Sequence, residues 1–245
     1  MINFFRKIRK KMADDNRPLK YMRYAVGEIL LVVIGILIAL QINTWNEERK
    51  ETKKLKMYVK DLVSDLEKDT INLNGWIRWS KKEIDELKEI DEYINNPDSM
   101  ITIDSIINMV PNINFGNSGP GPLNQETFNT LVSTGDVGLI PERQMNDLKS
   151  LNFRYKDFED ASETNMKFIF EFLMAYLNSY RFLSNVEKNS LVYLSQMKNF
   201  DEAEFLRTLD NYVGNKIFLY GMISSQTQNV LKYSEQTLAS LKNIQ

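Results

Sequence analysis

The residues able to do chemistry in this sequence are carboxylates, and they occur in two settings. Glu28 stands at the leading edge of an apolar run, Ile29 to Leu40, that holds no charged residue. A carboxylate in hydrocarbon is costly enough to require a reason, and the chemistry open to it there is proton or ion coupling. The other acids come in groups, with Asp61, Asp65, Glu67 and Asp69 in one stretch and Asp157, Glu159 and Asp160 in another. Paired carboxylates are the equipment of glycan hydrolysis. These acids alternate with lysines, however, which is the pattern of a solvated helix face, and no catalytic residue is expected among them. Glu28 lies only about 6 Å inside a span that begins at Tyr24, counted by helical rise. At that depth it can reach the interface or bond Tyr24 one turn earlier, which favours a structural role over proton coupling.

Composition removes most other chemistry. Cysteine and histidine are both absent. Disulfides, thiolate and imidazole metal sites, and nucleophiles driven by a Cys–His or Ser–His pair are therefore excluded. Gly135 and Gly138 flank Asp136, but no strand precedes them and no Lys-Ser/Thr pair follows, so they read as a turn rather than a phosphate cradle. The expectation is a protein without cofactor, metal or enzymatic activity. Net charge is −2, divided between a basic arm of +6 over residues 1–23 and −7 after Trp45. An acidic body speaks against nucleic acid as a partner.

The elements that hold these residues begin with the apolar run. From Tyr24 to Trp45 a helix reaches about 33 Å, enough for a hydrocarbon core of about 30 Å. Tyr21, Tyr24 and Trp45 sit where interfacial anchors belong. A cleaved secretory signal is the competing reading, but the run continues into Gln41-Ile42-Asn43-Thr44 without a small-residue cleavage pair, and an uncleaved anchor is expected. Gly35 and Ala39 form a small-xxx-small pair suited to close helix–helix approach. The arm carries Arg6, Lys7, Arg9, Lys10 and Lys11 around a stripe of Phe4, Ile8 and Met12. It either lies on anionic lipid or only sets topology, and its bases favour a cytoplasmic amino terminus with the body outside.

The stretch Gly27-Glu28-Ile29 through Gln41-Ile42-Asn43 and Trp45-Asn46-Glu47 resembles the amino-terminal signature of an uncharacterised family. Its members are small single-pass proteins common in Gram-negative bacteria of the Bacteroidota type. Thr127-Phe128 through Leu131, Ser133-Thr134-Gly135-Asp136 and Leu139-Ile140 form a second matching stretch. The resemblance implies a location in the bacterial inner membrane and a helical domain in the periplasm, and it carries no activity.

After Trp45 the apolar residues fall at helical spacing from Leu55 to Ile94, where Asn95-Asn96-Pro97-Asp98 stops the pattern. Residues 98–124 hold a Pro- and Gly-rich loop, read either as a connection at the end of a bundle or as a recognition loop. A short helix over Gln125 to Thr134 is expected, with Asn124 as its N-cap and Gly135 as its stop. Leu139 and Ile140 should plug the core. A helix from Pro141 to about Leu183 and another from about Glu202 to Asn243 complete the body. The predicted fold is all-α. One transmembrane helix (24–45) follows the basic cytoplasmic arm (1–23) and continues into an elongated up-down-up bundle (46–245). The region 98–140, with the turn at Gly135, Asp136 and Gly138, forms its tip. Phe168-Ile169-Phe170-Glu171-Phe172 reads as core or as an oligomer seam. The expected function is a membrane-anchored interaction, scaffold or sensor-like module, with membrane lipid and a protein or a second copy as partners. The alternative is an accessory subunit of a proton-driven or transport complex that uses Glu28.

Overall fold

A computed structural model describes the backbone of residues 18–95, 101–116, 118–185 and 187–244, and the side chains of these except 18–21 and 184–185. Arg6, Lys7, Arg9, Lys10 and Lys11, and the side chain of Tyr21, lie outside the described residues. The fold is all-α, with no strand among the described residues. Its helices are α1 (Pro18–Ile94), α2 (Ile103–Met109), α3 (Glu126–Ser133), α4 (Glu142–Tyr180), α5 (Phe182–Asn185), α6 (Leu191–Met197) and α7 (Glu202–Lys242).

The chain divides into two compact units, Met1–Lys56 and Met57–Gln245. In the first, α1 presents the apolar run with every residue from Ile29 to Leu40 exposed. That helix is long and apolar enough to cross a membrane. In the second, most apolar positions of α1 are buried or half-buried, Met57 and Ile71 being exposed, and Leu62, Leu66, Leu73 and Leu87 are among the most deeply buried. The stripe on α1 therefore closes a core with α4 and α7. Phe205, Leu209, Tyr212 and Ile223 from α7 and Tyr155, Ile169 and Tyr176 from α4 fill that core. Small buried side chains, Ser162 on α4 and Thr227, Ser234 and Thr237 on α7, keep bulk out of the space between these two helices. The Tyr155 hydroxyl meets the Ser234 hydroxyl there at 2.8 Å.

The direction of the helices differs from the up-down-up expectation. Ser240 on α7 donates to Asp147 near the start of α4, while Tyr212 stacks on Tyr176 near its end, so α4 and α7 are antiparallel. Glu67 of α1 pairs with Lys242, Glu83 with Lys216, and Asp210 accepts from Asn95, so α1 is also antiparallel to α7. α1 and α4 thus point the same way. An up-down-up order presumes a short link between the first two helices. Here the chain between them is long enough to return along the whole bundle before α4 begins.

That return corrects the placement of 98–140 at a bundle tip. Asn114 bonds Glu83, Ser118 accepts from Trp76, Asn124 bonds Asp69, Thr127 bonds Asp65, and Asp136 accepts from Tyr58. The segment runs backwards beside α1 as a strap. Gly135, Asp136 and Gly138 consequently lie beside Tyr58, at the end of the bundle where α4 starts. Gly135 stops α3 in the left-handed region at φ 75°. Asp136–Leu139 is a 3-10 turn; Ile140 is buried and Leu139 only half so.

Candidate functional site

The strap is held by side chains whose charge the sequence pattern places on a wet surface. Asp69 is fully buried and accepts from the Asn124 amide at 3.0 Å and from its Nδ2 at 2.6 Å. Asn124 therefore spends its side chain on Asp69 rather than capping α3, which starts at Glu126 without a side-chain cap. Glu159 of α4 accepts from the Leu123 amide and from Gln125 Nε2, both at 3.1 Å. Asp65, Asp69 and Glu159 are thus clamps on residues 123–127. Asp61, Asp157 and Asp160 are outside these clamps.

The second clamp centres on Lys216, whose side chain has no exposure at all. Its Nζ donates to Glu83 Oε1 at 2.8 Å, to the Asn114 carbonyl at 2.8 Å and to the Gly116 carbonyl at 2.9 Å. All three ammonium protons are used. Asn114 Nδ2 donates to the other Glu83 oxygen at 2.9 Å, and Asn114 Oδ1 accepts from the Gly116 amide at 2.8 Å. A Cβ at position 116 would lie 2.8 Å from that same Oδ1, so a larger residue there would push the Asn114 side chain from its bonds. The rings of Tyr212 and Tyr220 flank the ammonium at 5.7 and 5.4 Å from their centroids. Tyr220 also accepts from the Ser118 amide.

Burial moves the protons of these groups. It pulls the Lys216 ammonium down from its ordinary value, and the hydrogen bond and charge of Glu83 oppose the shift. It pushes Asp69 up, against the bonds from Asn124. The Tyr220 hydroxyl is pushed up to about 12 by burial, with Glu83 adding to the rise. Every one of these is a group engaged in holding the fold, and the clusters face inward.

The residues singled out in the apolar span are arranged differently. Tyr24 and Trp45 are exposed at 60 % and 64 %. Gly35 is open, with nothing near the position of a Cβ, and Ala39 lies one turn further on the exposed helix. Glu28 is half-buried and takes part in a polar interaction. The span and the clamps belong to different units, and each is complete as described.

The exposed apolar groups of the second unit include a set on α6 and a set on α4 and α7. On α6, Leu191 is 87 % exposed, with Val192 and Leu194 beside it. On α4 and α7, Phe168, Phe170, Phe218 and Met222 are exposed, while Ile169 is buried in the core. The aromatic run at 168–172 is thus core at Ile169 and surface at Phe168 and Phe170.

A family profile described as "Family of unknown function (DUF6090)" matches residues 28–156. The chain belongs to this family. No curated protein and no solved structure matches it. The DUF6090 match takes in the apolar span, the rest of α1, the strap and the opening turns of α4. It contains Asp65, Asp69 and Glu83 but stops short of Glu159 and Lys216. Sequence patterning missed Glu83 and Asp69 as functional side chains because their acids alternate with lysines. Lys216 had a signal: it occupies a position in the apolar stripe of α7, where a charge has to be paired.

Proposed function

We propose that this DUF6090 protein is a single-pass inner-membrane protein that acts by binding, not by catalysis. Its amino terminus is cytoplasmic and its helical body periplasmic, where it engages a protein of the cell envelope. The observation that carries the reading is the exposure of the whole apolar run from Ile29 to Leu40, while the buried apolar residues, among those described, begin at Tyr58. A soluble helix with that composition would be covered by its own protein. Exposed Leu191, Val192 and Leu194 on the short helix α6 support a binding surface on the body. The buried charges support the same reading, because Asp69, Glu83 and Lys216 are fully used on the strap.

Fractionation and reporter fusions test this. The full chain is expected in the membrane pellet after alkaline carbonate extraction, with a carboxy-terminal alkaline phosphatase active and a carboxy-terminal green fluorescent protein dark. Release by carbonate, or a fluorescent carboxy-terminal fusion, would refute the anchor or its orientation. Substituting Leu191 and Leu194 by Asp is expected to abolish envelope-protein cross-links formed from neighbouring positions on α6, without changing fractionation.

A further inference from the structure

The cluster around Lys216 combines groups that elsewhere among the described residues meet in pairs. Asp69 with Asn124 is a carboxylate on a carboxamide, Lys242 with Glu67 an amine on a carboxylate, and Lys188 with Asn108 an amine on a carboxamide. At Lys216 all three meet, and Glu83 is the bridge. Its Oε1 accepts from Lys216 Nζ at 2.8 Å and its Oε2 from Asn114 Nδ2 at 2.9 Å. One carboxylate thus touches both a nucleophilic nitrogen and a nitrogen able to leave. The Gly116 amide donates to Asn114 Oδ1 at 2.8 Å, where negative charge would develop on attack at Cγ.

The surroundings suit that attack. Lys216 has no exposure and Glu83 is 4 % exposed. Burial pulls the ammonium towards the neutral amine that a nucleophile requires. Nζ also donates to the Asn114 backbone carbonyl at 2.8 Å, so the amine is held on the very residue that carries Cγ. Phe115, next along the chain, stacks on Tyr176 and Tyr212 at 5.0 and 5.4 Å and pins the strap at this point. Asn114 itself is exposed, which gives ammonia a way out. What remains is for Cγ to close on Nζ by rotation of one short side chain, with the other groups already placed.

We propose that Lys216 and Asn114 join in an intramolecular isopeptide bond, a single self-catalysed event that staples the strap to α7. Glu83 takes a proton from Nζ through Oε1, and the neutral amine attacks Asn114 Cγ. The Nζ–Cγ bond forms while the Gly116 amide holds the oxyanion at Oδ1. Glu83 hands a proton to Nδ2 through Oε2, the Cγ–Nδ2 bond breaks, and ammonia leaves. Nζ gives up two of its protons. One departs on ammonia and the other stays on Glu83, so no unpaired carboxylate is left buried. The step is neither oxidation nor reduction and needs no co-reactant. It links residues 102 apart in a chain without cysteine, closing a loop as a disulfide would. The proposal goes beyond the anchored reading and does not depend on it.

Mass spectrometry of the full chain, purified from membranes in detergent, is the test. The intact protein is expected to be lighter by one ammonia than its sequence requires. A succinimide at Asn74-Gly75 would lose the same mass, so a tryptic digest locates the change. Residues 89–143 should appear joined to residues 208–232, with no cleavage after Lys216. Asn114→Ala leaves the Lys216–Glu83 pair in place and should give full mass, normal helicity and the free peptide 208–216. Glu83→Gln should likewise leave the chain unlinked. A wild-type chain of full mass, or an ammonia loss that maps to any other site, would overturn the proposal. Linkage in Glu83→Gln as complete as in wild type would overturn the role given to Glu83.

Discussion

At the scale of single residues, Lys216 and Asp69 are where stability should respond most sharply. Lys216→Met leaves Glu83 buried without its cation and strips a donor from the Asn114 and Gly116 carbonyls. Breaking one side of a buried pair costs about 3–5 kcal/mol, to be read from denaturant unfolding of the detergent-solubilised chain. Replacing Glu83 by Leu in the same protein should restore part of that loss. It removes the uncompensated carboxylate but leaves the two carbonyls without their donor. Asp69 makes a pH prediction whose sign runs against the usual one for an acid. Its folded value is raised by burial, so the folded state binds more protons than the unfolded chain in the window above 3.8. Stability contributed through this group falls as pH rises through that window. Asp69→Asn removes the dependence. The stability of the Asn variant relative to wild type should therefore rise from about pH 4 to about pH 7, as followed by unfolding at each pH.

At the scale of elements, the sequence and the structure agree where one helix decides the outcome by itself. The stripes of α1, α4 and α7 were legible because 3.6-residue periodicity needs no partner to be recognised. Ile94, Gly135 and Glu202 are boundaries set by local chemistry: an Asn-Pro stop, a left-handed residue, and an Asp201 side chain that caps Glu204. The strap was not legible in the same way. Its path is written in pairs distant in sequence, such as Asn124 with Asp69 and Gly116 with Lys216, and neither member of a pair announces the other. The same distance hid the parallel course of α1 and α4. Gly135 offers a clean test of the turn that ends the strap. A Cβ there meets nothing within 4 Å, so the cost of Gly135→Ala is conformational alone. At φ 75° that cost is about 1–2 kcal/mol. The body should melt lower by about 2–4 °C for each kcal/mol, measured by circular dichroism. Gly135→Asn should melt closer to wild type, because Asn tolerates the left-handed region.

At the scale of the whole molecule, hydrophobic residues are divided between an exposed run and a buried core. Those from Ile29 to Leu40 are exposed and uncovered by the protein, while the buried apolar set, among the described residues, begins at Tyr58 and runs to Leu241. No described residue of the first unit is among the buried core, so the second holds its own core, its own clamps and all three long helical segments that enclose them. Charge follows the same division, with bases concentrated before the span and a net −7 after it. A chain beginning at Met57 is thus expected to express as a soluble, helical protein that unfolds cooperatively. Every clamp described, from Tyr58 with Asp136 to Glu67 with Lys242, lies within it. Circular dichroism and denaturant unfolding of this fragment read the outcome. Aggregation, or a loss of helicity and of cooperative unfolding, would mean that the core needs residues before Met57.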